Sequence, residues 1–155
     1  MLYNKSEICA IIADTATAEG LPPEFVLACV DVLSSFNPAL IEQSLDPQQY
    51  NPALARNIAP NARYGLLQVS YEAAKEQLEF KGKPEELLAP SLNVSLGCRI
   101  LKSALAQCGG NAERSLLVCY GYSINTMIPR IQGKIGAYKQ FIARRPTSQA
   151  TCSIK

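Results

Sequence analysis

An all-helical domain is the fold class that this sequence of 155 residues predicts, on three observations. Apolar residues recur at helical spacing through six segments. Pro, Gly, Ser and Asn stand at the breaks between them, where helices start and stop. No run alternates apolar and polar residues for long enough to make more than a token strand.

Residues 6–18 (SEICAIIADTATA) read as the first helix, capped by Ser6 and stopped at Gly20. Pro22 and Pro23 suit the first turn of a second helix, and Glu24 suits its positive end. Val26, Val30 and Leu33 fall at i, i+4 and i+7, which predicts the buried face of a helix from about 23 to 35. Residues 37–64 then break the pattern, with four prolines, four asparagines and no sustained period. A loop this long in a compact domain lines a site or carries short helical pieces. Ser70 caps the next helix, SYEAAKEQLEF, which is rich in good helix formers. KPEELLAP reads as a single helical turn before a break. The long amphipathic helix over 91–107 closes at Gly109 and Gly110; Asn111 caps AERSLLVCYGY, and Pro129 opens PRIQGKIGAYKQFIARR. These elements define one domain over 1–145 and a polar tail over 146–155, expected to be mobile.

Apolar residues make up 48% and charged residues 18%, a globular composition with enough chain to bury roughly 70% of its unfolded surface. A net charge of +2, without a basic stripe interleaved with aromatics, argues against a nucleic-acid partner. The densest basic spot, Ala143-Arg144-Arg145, suits the negative end of a helix. No apolar run approaches the ~20 residues that span a bilayer. The first residues show no signal-peptide pattern, which leaves the compartment unknown. With six cysteines, no C-x-x-C pair and no histidine, neither a metal site nor a cofactor is expected. Cys9, Cys29, Cys98 and Cys119 lie in apolar helical patterns and read as small buried hydrophobes. A disulfide stays open, and its pair is not given by the sequence.

Four separated blocks carry a family resemblance. GLPPEFVLACVDVLSSFNP (20–38), YGLLQVSYEAAK (64–75), LNVSLGCRILKSAL (92–105) and GGNAERSLLVCYGYS (109–123) stand in the order and spacing of a known set of motifs. The chain resembles the soluble lytic transglycosylases (SLT), the goose-lysozyme-like branch of the lysozyme superfamily, over about residues 8–142. The resemblance implies an all-α lysozyme-like fold with a long loop insertion at about 37–64. It also implies peptidoglycan or a related glycan as the ligand. In that family one buried Glu at the end of a helix protonates the leaving oxygen and then accepts the proton of the attacking sugar hydroxyl. By the same resemblance Ser34, Phe36, Gln68 and Tyr120 are the substrate-binding positions. Tyr64 and Tyr122 divide evenly between sugar stacking and core filling.

Two departures from the family motifs bear on chemistry. Aligned without a gap from Pro22 to Pro38, the family Glu falls on Leu33, which neither donates nor accepts a proton. The family A-Y-N-A-G becomes CYGYS, so the sugar-contacting Asn is replaced by Gly121. The expectation is a catalytically degenerate member with no catalytic residue at position 33. Its remaining role is glycan binding, or a structural part with protein partners in an envelope-associated or phage-tail-like assembly. The alternative is an active lyase using a relocated acid, Glu42 or Asp46, although solvated loop charges are the commoner reading of both. Asp31 lies about 200° around the helix from Leu33 and should point away from it.

Overall fold

A computed structural model describes residues 3–42 and 62–145, with the side chains of Tyr122 and Ser123 excepted. Among the described residues six helices carry the fold: α1 (Lys5–Ala18), α2 (Pro23–Ser34), α3 (Tyr71–Leu78), α4 (Pro90–Gln107), α5 (Ala112–Tyr120) and α6 (Ile128–Ala143). Two 3₁₀ turns, Pro84–Leu88 and Tyr122–Thr126, precede α4 and α6. The all-α lysozyme-like class holds. A three-stranded antiparallel sheet of two-residue strands, β1 (Ile41–Glu42), β2 (Arg63–Tyr64) and β3 (Val69–Ser70), is its minor β component. The ends of the sequence's long loop supply β1 and β2; Asp46 and the 146–155 tail lie outside the described residues.

Local chemistry explains most boundaries. The first helix is capped by Asn4 and not by Ser6. The Asn4 side chain accepts from the Glu7 N–H at 2.8 Å, and its amide donates back to the Glu7 carboxylate at 2.7 Å. That reciprocal pair satisfies an orphan N–H of the first turn, and Ser6 is left inside the helix. Ser70 and Asn111 cap α3 and α5 as expected, accepting from Ala73 N–H and Arg114 N–H. Arg145 does more than complement the end of α6, because it also pairs with Asp14 of α1 at 2.9 Å.

The core forms around α2. Phe25 through Val30 are all buried, so this helix is enclosed almost all round instead of along one stripe. It packs against α1 and α6, while α1 also lies on α4 and α4 on α5. Val26 and Val30 are fully buried as the spacing predicts, but Leu33 is only half-buried, packed at the margin of the core. Asp31 faces α6, where its carboxylate accepts from the Tyr138 hydroxyl at 2.6 Å and pairs with Lys134 at 3.2 Å. Beyond Ser34 the chain turns sharply, with Ser35 and Phe36 both left-handed (φ 51° and 62°). For a bulky residue such as Phe36 that backbone is an outlier, held in place by packing.

The five described cysteines are free thiols. Burial pushes the Cys98 thiol up to about 12 and the Cys119 thiol up to about 11, and it raises Cys29 further still. Reactivity follows the thiolate and its access. In a Cys152→Ser variant, a thiol reagent at pH 8 should therefore modify the half-buried Cys108 rapidly, and the buried Cys9, Cys29 and Cys98 only after denaturant is added. Rapid labelling of Cys29 or Cys98 in the native protein would contradict this packing.

Candidate functional site

The turn 65–68 (Gly65-Leu66-Leu67-Gln68) is where the four sequence blocks meet. It joins β2 to β3 and is buried throughout. Helix α2 reaches it through Ser34, whose hydroxyl donates to Leu66 C=O at 2.8 Å. From α5, the Tyr120 hydroxyl donates to Leu67 C=O at 2.7 Å. Asn93 of α4 makes three bonds there. Its amide oxygen accepts from Leu67 N–H at 2.9 Å, and its amide nitrogen donates to Tyr64 C=O and Leu87 C=O at 2.7 Å each. Gly97, one turn further along α4, completes the seat. A Cβ there would lie 2.6 Å from Leu67 Cδ1, so α4 and the turn approach this closely only at a glycine.

The positions that the resemblance names are thus placed as follows. Ser34 is buried, and its hydroxyl is shared between Leu66 C=O and Val30 C=O. Gln68 is 1% exposed with a left-handed backbone, and its amide nitrogen donates to Gly65 C=O at 2.9 Å and Leu40 C=O at 3.2 Å. Tyr120 is half-buried, with the Arg63 guanidinium 5.1 Å from its ring centroid. Burial holds the Tyr120 phenol well above its usual range, and the neighbouring thiols Cys29 and Cys119 act in the same direction. Phe36 is turned toward α1 and α6, edge-on to Tyr138 and beneath the Lys5 ammonium. Ser34, Gln68 and Tyr120 meet around one turn, while Phe36 packs away from it. Tyr64 is a core residue at 1% exposure, and burial pushes its phenol up to about 12.

Leu33 precedes Ser34 in the last turn of α2, so a carbon-only side chain stands one residue before the hydroxyl that bonds this turn. Among the described residues no carboxylate is buried. Glu42 is exposed on β1, opposite Arg63 across the ladder. It lacks the apolar enclosure that makes a carboxyl a good general acid. The described residues contain no group of three or more His, Cys, Asp or Glu that could hold a metal, and no helix long and apolar enough to cross a membrane.

The sequence alone does not single out Asn93 and Gly97 as functional positions. Their only signal is the N-x-x-x-G spacing inside the third motif block. Gly121 carries a second meaning that spacing could not show. It caps α5 with φ 80° and ψ −179°, a region that is essentially glycine-only. A Cβ there would meet nothing within 4 Å, so the obstacle to a side chain is backbone conformation and not space. Gly121→Ala and Gly121→Asn should each cost about 1–3 kcal/mol, and by similar amounts. A denaturant midpoint left at the wild-type value by either substitution would exclude this account.

Residues 10–136 match the family model described as the transglycosylase SLT domain. No curated protein and no solved structure matches the chain.

Proposed function

Since the chain belongs to the transglycosylase SLT domain family, we propose that it is a lytic-transglycosylase-like domain whose acid–base step has been lost. In this reading it acts as a glycan-binding or structural part of an envelope-associated or phage-tail-like assembly. The observation that carries the reading is Leu33. It stands where the family motif has its Glu, in the last turn of α2 one residue before Ser34, and no buried carboxylate replaces it among the described residues. A general acid–base group is worth about 10²–10⁴-fold in rate, and the family reaction supplies no second carboxylate to share that work. The assembly role rests on likeness of fold and motif alone.

Incubating purified peptidoglycan with the full chain and analysing the products for anhydromuropeptides tests the catalytic half. No release above a buffer control is expected. Clear release that disappears in Glu42→Gln or Asp46→Asn would sink the proposal in favour of a relocated acid. Sedimentation with insoluble peptidoglycan separates the two remaining roles, because a purely structural part stays in the supernatant.

A further inference from the structure

Helices α1 and α6 both pack on α2, and an open cleft of about 530 Å³ lies between them. That volume falls in the range of small-ligand sites, roughly 300–1,000 Å³. No residue of the 65–68 turn lines it, and neither does any of the turn's partners Ser34, Asn93, Gly97 and Tyr120. The cleft is therefore separate from the place where the motif blocks meet. Small side chains on its two walls, Ala10 on α1 and Ala137 on α6, leave the space open.

The rest of the lining selects a ligand. Phe141 is 41% exposed, and an aromatic ring held open to solvent offers a flat apolar surface to the C–H face of a sugar. Ser6 and Gln140 add a hydroxyl and an amide whose side chains bond to nothing else among the described residues. Arg144 adds a guanidinium that has no carboxylate partner there, while Arg145, which also lines the cleft, is tied to Asp14 at 2.9 Å. No Asp or Glu lines the cleft, and residues 128–145 hold five basic side chains and no acidic one. A site with this charge favours an anion. An apolar platform, two neutral hydrogen-bonding groups and one cation together match a sugar that carries an acid.

We propose that this cleft is a second glycan subsite, which takes a sugar unit bearing a carboxylate. The ring lies on Phe141, its hydroxyl and amide groups meet Ser6 and Gln140, and its carboxylate pairs with Arg144. This rests on the glycan-binding reading given above and adds to it a location and a charge preference. An ion pair at an exposed position is worth no more than about five-fold in affinity, so the acid sets preference and the ring contact supplies the rest of the binding.

NMR titration of the labelled full chain with the disaccharide N-acetylglucosaminyl-N-acetylmuramic acid tests the site. Chitobiose is its neutral counterpart, without the lactyl carboxylate. Expected are amide shifts at Ala10, Ala137 and Gln140, with an apparent Kd about two- to five-fold lower for the acidic sugar at low salt. Arg144→Gln should remove that difference, and Phe141→Ala should weaken both sugars. Both substitutions fall at exposed positions and should leave the rest of the spectrum native. Equal affinities for the two sugars in the wild type overturn the proposal. Cleft shifts of the same size with tetraglutamate overturn it too, because the cleft would then read charge and not sugar. Shifts confined to the 65–68 turn would sink this inference and leave the glycan-binding reading intact, whereas no shift anywhere at millimolar sugar would remove both.

Discussion

Replacing Leu33 with Glu should bring anhydromuropeptide release into the measurable range, roughly 10²-fold above Leu33→Gln, at the lower end of the ~10²–10⁴ that general acid–base catalysis supplies. The reason lies in where Leu33 stands. Half-buried at the margin of the core, it would surround an introduced carboxyl with apolar neighbours on one side and solvent on the other. Partial burial raises a carboxyl's pKa and keeps it protonated for donation. The restored activity should therefore fall as pH rises through that pKa, since the deprotonated form has no proton to give. The Gln variant controls for shape and polarity without titration. The gain should stop short of the full range because Gly121 offers no side chain to the sugar. Equal silence of the Glu and Gln variants would show that the site no longer seats glycan. The structural half of the proposed function would then stand alone.

Asn93→Ala should be the most damaging single substitution in the domain, costing about 3 kcal/mol or more. Asn93 is fully buried and satisfies three main-chain groups, Leu67 N–H, Tyr64 C=O and Leu87 C=O. Each buried group left without a partner costs roughly 1–3 kcal/mol, and total stability for a domain of this size is roughly 5–15 kcal/mol. Asn93→Asp separates the contributions. It keeps the acceptor for Leu67 N–H, loses both donors and brings a charge into the core, so it should be no more stable than the Ala variant. Chemical denaturation of both variants checks this. A loss below 1 kcal/mol in Asn93→Ala would mean that water replaces the side chain without penalty, and that α4 does not hold the turn.

These two residues mark the difference between what was legible in the chain and what was not. Leu33 was legible because an absent carboxylate is a covalent fact, and a gapless match from Pro22 to Pro38 locates it. Asn93 was not, because a polar residue within an amphipathic helix looks like part of a solvated face. Its burial is decided by the 65–68 turn, whose Leu67 lies 26 residues back along the chain. Ser34 and Tyr120 show the same limit. Family resemblance makes both substrate-binding positions, and both spend their hydroxyls on the turn through partners 32 and 53 residues distant. Such a motif can recur for packing as well as for chemistry, and spacing alone does not separate the two. Leu33 also deviated from the buried face that Val26 and Val30 define, since α2 is enclosed on nearly every side until its last turn reaches the edge of the core.

By itself the sequence determined the helices, most of their caps, the family and the leucine at position 33. All of these depend on residue identity and on neighbours within one or two helical turns, where periodicity and capping act. Only the tertiary structure decided which polar atoms face inward, that Asn93 and Gly97 seat the turn against α4, and that the end of α5 demands glycine at Gly121. Those outcomes depend on which distant main-chain groups meet in the core and must be satisfied there, a condition that no local pattern encodes.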